Sequence, residues 1–112
     1  MPDGEYPIEI TVTEAKQRYD AAPDRTMIID VREPYELEIC RIPEATHIPM
    51  RQIPETMDQL PRDKHLLVLC HAGMRSRRVT EYLRACGFTA VSNIAGGIDA
   101  WARELAPDMR RY

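Results

Sequence analysis

The run Leu66-Leu67-Val68-Leu69 constrains the fold more than any other feature of the chain, because it is apolar at every position. A strand with one wet face alternates polar and apolar residues. A strand without alternation is buried on both faces, as in a parallel sheet covered on two sides by helices. The run leads straight into Cys70-His71-Ala72-Gly73-Met74-Arg75-Ser76. Beyond it Val79, Tyr82, Leu83 and Cys86 fall on one helical face, and Gly87 stands where a helix C-cap belongs.

The same strand-then-helix unit recurs along the chain. Tyr6 to Ile10 alternates like a short strand, and Val12, Ala15, Tyr19 and Ala22 then repeat at helical spacing with Thr13 as N-cap. Met27 to Val31 is a second buried strand, and Glu33-Pro34 opens a short helix through about Ile39. A brief strand is expected at Ala45 to Ile48 and a short helix near Ile53 to Leu60. Ala90 to Ile94 reads as a last strand, and Gly96-Gly97 leads into a helix with Ile98, Trp101, Ala102 and Leu105 inside. Alternation of this kind predicts an α/β fold with a mainly parallel sheet.

At 112 residues the chain has the length of one domain, with no repeat or linker to divide residues 1–112. Its 15 basic and 18 acidic residues are interspersed, so no basic stripe suggests a nucleic-acid partner. The longest apolar stretch, Leu66 to Cys70, is far short of the roughly 20 residues that span a bilayer, and no signal pattern opens the chain. No membrane partner and a cytoplasmic location are therefore expected. Three cysteines, Cys40, Cys70 and Cys86, fit neither a disulfide framework nor paired zinc ligands. His47 and His65 have no ligand-spaced partners, so neither a metal site nor a cofactor is expected.

Ligands of parallel sheets bind at the carboxyl ends of strands, which is where Cys70 lies, with a helix starting just beyond it. Gly73 permits a tight loop whose amides converge on the sulfur, and such a nest favours negative charge. Position alone also allows a buried, inert cysteine. The polar and permissive residues Gly73, Arg75 and Ser76 directly after an apolar strand suit an oxyanion cradle better than a core.

At this loop the chain resembles the rhodanese family of sulfurtransferases. The resemblance rests on Cys70 to Arg75, on Asp30-Val31-Arg32-Glu33-Pro34-Tyr35-Glu36, on Arg41-Ile42-Pro43-Glu44-Ala45 with Ile48-Pro49, and on Gly96-Gly97-Ile98-Asp99-Ala100-Trp101, in that family's order and spacing. It implies a five-stranded parallel sheet flanked by helices on both faces. It further implies that Cys70 is the catalytic sulfur carrier, loaded as a persulfide by thiosulfate or a similar small donor and unloaded by cyanide, a small thiol or a protein thiol. His71, Ala72, Gly73, Met74, Arg75 and Ser76 would then form the substrate cradle, and Asp30, Arg32, Gly96 and Trp101 the scaffold. The chain departs from the family at Cys40-Arg41, where Gly-His usually precedes the Ile-Pro pair.

Several roles stay open at this level. Cys40 is either a tolerated substitution at a helix end or a resolving thiol for a Cys70 persulfide. Arg75 either holds an anionic donor or pairs with an acidic scaffold residue. His71 invites a cysteine–histidine dyad, although neighbours in a cradle loop point apart, and Cys86 is expected in the core. A phosphatase or arsenate reductase needs five residues between its cysteine and arginine; here there are four. A non-enzymatic binding or persulfide-sensing module is the remaining alternative.

Overall fold

A computed structural model describes residues 6–112. Five parallel strands form one sheet: β1 (Glu9–Ile10), β2 (Thr26–Asp30), β3 (Thr46–His47), β4 (His65–Leu69) and β5 (Val91–Ile94), in the spatial order β1-β5-β4-β2-β3. The helices are α1 (Val12–Ala21), α2 (Pro34–Ile39), α3 (Ile53–Thr56), α4 (Met74–Ala85) and α5 (Gly97–Glu104). The apolar run is the central strand, every residue of β4 being buried. No described helix is long and apolar enough to cross a membrane.

Two clusters of buried side chains form, one on each face. One contains Leu67 and Leu69 with Val12 and Ala15 of α1 and Ile98 and Trp101 of α5. The other contains Leu66, Val68 and Cys70 with Ile53 of α3 and Val79 and Leu83 of α4. Residues along a strand point alternately to the two faces, so the period of β4, carried one residue past its end, turns the Cys70 side chain toward α4.

Some sequence expectations shift. Thr11, not Thr13, caps α1: its Oγ1 accepts from Glu14 N at 3.1 Å. Thr11-x-x-Glu14 fits the capping-box pattern, which places the cap before Val12. The first strand is confined to Glu9–Ile10, shorter than Tyr6 to Ile10. Tyr82 is exposed, because the buried face of α4 runs through Ser76, Val79, Thr80 and Leu83. Cys86 is half-buried as the C-cap residue, outside both clusters, and Gly87 follows at φ 99°. The helix ends before its inner face reaches Cys86, and Phe88 fills the core there instead.

Buried polar groups staple the two ends of the sheet. Below Cys70's end of the sheet, Arg32 is fully buried and donates from Nε and Nη2 to Asp30, with Nη2 at 2.8 Å from Oδ2. At the opposite end, His65 is buried against Ser92. Arg18 can only donate, so His65 Nδ1 accepts from it, and Nε2 carries the proton toward Ser92 Oγ at 2.7 Å. Burial first, then the charges of Arg18 and Arg84, push His65 down to about 4.

That shift gives a pH signature. In the unfolded chain the imidazole takes up a proton near 6.5, and in the fold only near 4. Between those values the unfolded state binds more protons, so acid drives unfolding. The melting temperature is expected to fall as pH is lowered from 6.5 to 4, and His65→Gln to flatten that part of the profile. A parallel slope in both proteins would show that His65 is protonated in the fold.

Candidate functional site

Cys70 sits at the carboxyl end of the central strand, 1% exposed. Two donors reach its sulfur: Gly73 N at 3.1 Å and Ser76 Oγ at 3.2 Å. Gly73 makes this possible by adopting φ 105°, a left-handed conformation that side chains resist. The chain thereby doubles back on the sulfur and starts α4 in the same step. The first amides of a helix lack internal acceptors and carry its positive dipole end, so the 12-residue α4 adds to a field favouring negative charge at Sγ. Ser76 is fully buried, and the next turn holds it, with Thr80 Oγ1 donating to Ser76 O at 2.8 Å.

The loop is also fixed from behind. Ile98 N and Asp99 N, at the start of α5, donate to the carbonyls of Cys70 (2.8 Å) and His71 (3.0 Å). This contact needs glycine at position 97: a Cβ there would lie 2.4 Å from Cys70 O and 2.5 Å from His71 O. Asn93 in β5 donates to Gly73 O at 3.2 Å and to Glu9 at 2.8 Å, while its buried Oδ1 has no partner among the described residues.

Of the candidate residues, Gly73 and Ser76 touch the sulfur directly. Ala72, Met74 and Arg75 line an open cavity of about 480 Å³ whose lining also includes Cys70, Met50 and Arg78. Met74 is 76% exposed at its rim. His71 points away: its ring stacks on Tyr112 at 4.0 Å between centroids, and Nε2 lies 2.8 Å from Tyr112 O. A cysteine–histidine dyad does not form.

Arg75 pairs with an acidic scaffold residue while lining the cavity. Its Nη1 and Nη2 donate to Glu36 Oε2 and Oε1 at 2.7 and 2.8 Å, a bidentate clamp. Arg75 above all, opposed by burial and helped by the Glu33 amide and the Tyr112 hydroxyl, holds the Glu36 carboxyl down at about 2. Cys40 packs against the cluster that includes α1 and α5, on the face opposite Cys70's cluster. Its reading as a resolving thiol therefore gains nothing from the geometry.

Glu36, Tyr112, Asn93, Met50 and Arg78 join the site without having been singled out as site residues. Glu36 stood inside a quoted motif but carried no mark of its partner. Tyr112 is distant in sequence from everything it touches.

Comparison with known proteins agrees with this architecture. A family model described as "Rhodanese-like domain" matches residues 11–104. YtwF of Bacillus subtilis (strain 168) is 41% identical over 99 residues, covering 88% of this chain and 94% of the relative. A protein of Allochromatium vinosum named "Sulfurtransferase" is 36% identical over 99 residues, covering 88% and 92%. The crystal structure of SSP1007 from Staphylococcus saprophyticus is 33% identical with a TM-score of 0.75, covering 87% of this chain and 95% of that one. A family match over most of the chain, on a sheet that delivers Cys70 into a glycine-turned loop, means that this chain belongs to the rhodanese-like domain family.

Proposed function

We propose that this domain is a sulfurtransferase that carries sulfur as a persulfide on Cys70. The observation that carries the reading is the Cys70 sulfur held by Gly73 N and Ser76 Oγ, with Cys70 among the residues lining an open cavity. The sulfurtransferase name of the Allochromatium relative supports it.

In the first half-reaction the Cys70 thiolate attacks the outer sulfur of thiosulfate. A new S–S bond forms, the old one breaks, and sulfite leaves with the electron pair. In the second, cyanide or a thiolate attacks the outer sulfur of the persulfide, and Cys70 recovers its thiolate. Sulfite leaves as a stable anion, so the step needs no general acid, which fits a site whose neighbouring histidine is turned away. What it needs is stabilisation of charge on sulfur, and a single preorganised donor is worth about 3 kcal/mol when it meets developing charge. Gly73 N and Ser76 Oγ occupy that role.

A phosphatase reading fits less well. Phosphate chemistry needs a guanidinium presented to the oxyanion and an acid for the leaving oxygen, whereas Arg75 is clamped by Glu36. A reducing compartment such as the cytoplasm suits a carrier with three free thiols.

Intact-protein mass spectrometry tests the proposal. Incubation with thiosulfate is expected to add one sulfur, about 32 Da, and cyanide to remove it. An unshifted mass with several sulfane donors would reject the carrier and leave a binding module.

A further inference from the structure

Tyr112 lies beyond residues 11–104, the stretch covered by the family match, yet it contacts the Cys70 loop directly at His71 and, through Glu36, reaches Arg75 at the other end. At one end its ring stacks on His71, nearly parallel at 11°, and its main-chain oxygen accepts from His71 Nε2 at 2.8 Å. At the other end its hydroxyl donates to Glu36 Oε1 at 2.8 Å, the same oxygen that receives Arg75 Nη2. The hydroxyl also accepts from Arg32 Nη1 at 3.0 Å. Arginine has no acceptor, so the single phenolic proton is committed to Glu36.

We propose that Tyr112 is a positioning residue for the Cys70 loop, holding His71 by stacking and Arg75 through the Glu36 carboxylate. The residues between those two anchors include Gly73, whose amide donates to the sulfur, and Ser76 follows immediately. A shift of either anchor moves the donors off Sγ. The Glu33 amide holds Glu36 Oε2 at 2.8 Å, and the Tyr112 hydroxyl holds the other oxygen, Oε1, and ties it to the buried Arg32. Burial, set against Arg32 and reinforced by Glu36, pushes the phenol up to about 12, so the proton it gives Glu36 is present throughout the physiological range.

The inference rests on Cys70 being the sulfur carrier, and two measurements on Tyr112→Phe and Tyr112→Ala separate the two ideas. The first is amide hydrogen exchange, which needs no substrate. Residues 71–76 are expected to exchange at least about tenfold faster in Tyr112→Ala, while amides of β4 and β5 stay protected, since loops open locally without global unfolding. The second is steady-state transfer from thiosulfate to cyanide, below the melting temperature of each variant. The expected result is a kcat lowered about tenfold in Tyr112→Ala with KM for thiosulfate within about twofold, because misplacement of a reacting group by ~1 Å costs up to ~100-fold in rate. Tyr112→Phe keeps the stack and loses the bond to Glu36, and is expected to fall between.

A merely structural tyrosine would lower the melting temperature and leave kcat of the folded variant unchanged. Unchanged loop exchange together with wild-type kcat in Tyr112→Ala would overturn the proposal. Wild-type kcat in Tyr112→Phe would overturn the part given to the hydroxyl. A wild-type protein that transfers no sulfur would remove the functional reading, and the exchange experiment would still decide whether Tyr112 holds the loop.

Discussion

Cys70→Ser is expected to abolish sulfur transfer, a loss on the order of 10⁴-fold or more, because removing a covalent nucleophile removes the pathway and not only its acceleration. The melting temperature should stay close to wild type. Serine is the nearest isostere, and both existing donors, Gly73 N and Ser76 Oγ, find an acceptor in its oxygen. No other thiol stands in: Cys40 packs on the far face of the sheet, and Cys86 caps the end of α4. The check is thiosulfate-to-cyanide transfer alongside a circular-dichroism melt. Transfer retained in a well-folded Cys70→Ser protein would place the nucleophile elsewhere.

The largest expected effect on stability comes from Asp30→Ala. Arg32 is 0% and Asp30 1% exposed, and the carboxylate is the only negative side chain bonded to that guanidinium among the described residues. Removing one partner of a buried pair strands the other charge, at a cost of about 3–5 kcal/mol. A domain of this size has about 5–15 kcal/mol in total. Asp30→Asn should be milder, since an amide oxygen still accepts from Nε although the charge is gone. Denaturant midpoints order the three proteins. A loss below about 1 kcal/mol in Asp30→Ala would mean that water reaches Arg32 once the carboxylate is removed.

What was legible in the sequence is what depends on local pattern. The unbroken apolarity of Leu66 to Leu69 announced a doubly covered strand, and Gly73 announced a sharp turn after it; both hold. The strands and helices lie close to where their periods placed them. Phase at element ends was less secure. Thr11 and Thr13 are both capping residues by type, and Glu14, three residues after Thr11, is the sequence mark that agrees with the hydrogen bond from Glu14 N to Thr11 Oγ1. Tyr82 lies beside the inward stripe, which runs through Ser76, Val79, Thr80 and Leu83, and Cys86 falls at the C-cap where the helix ends.

Partnerships across the chain were not legible at all. Arg75 had many acidic residues to choose from, and nothing local marks Glu36, 39 positions away, as the one it clamps. Tyr112 reaches Glu36 across 76 positions. Such pairs are set by how the loops close over the carboxyl ends of the strands, a tertiary fact with no periodic trace.

The close approach of Gly97 to the Cys70 and His71 carbonyls also sets the mechanical compliance of the pocket. Two amides of α5 pin those carbonyls from below, and beneath the central strand lie the packed side chains of Val12, Ile98 and Trp101. A second sulfur bonded to Cys70 extends the side chain by about 2 Å, and the rigid floor gives it no room. The yielding wall is the opposite one, formed by Met50 and the exposed Met74, unbranched thioethers that change rotamer readily. The pocket therefore behaves as an anvil with one soft side. If Cys70 carries sulfur as proposed, an added sulfur atom would extend toward the cavity that Cys70 lines.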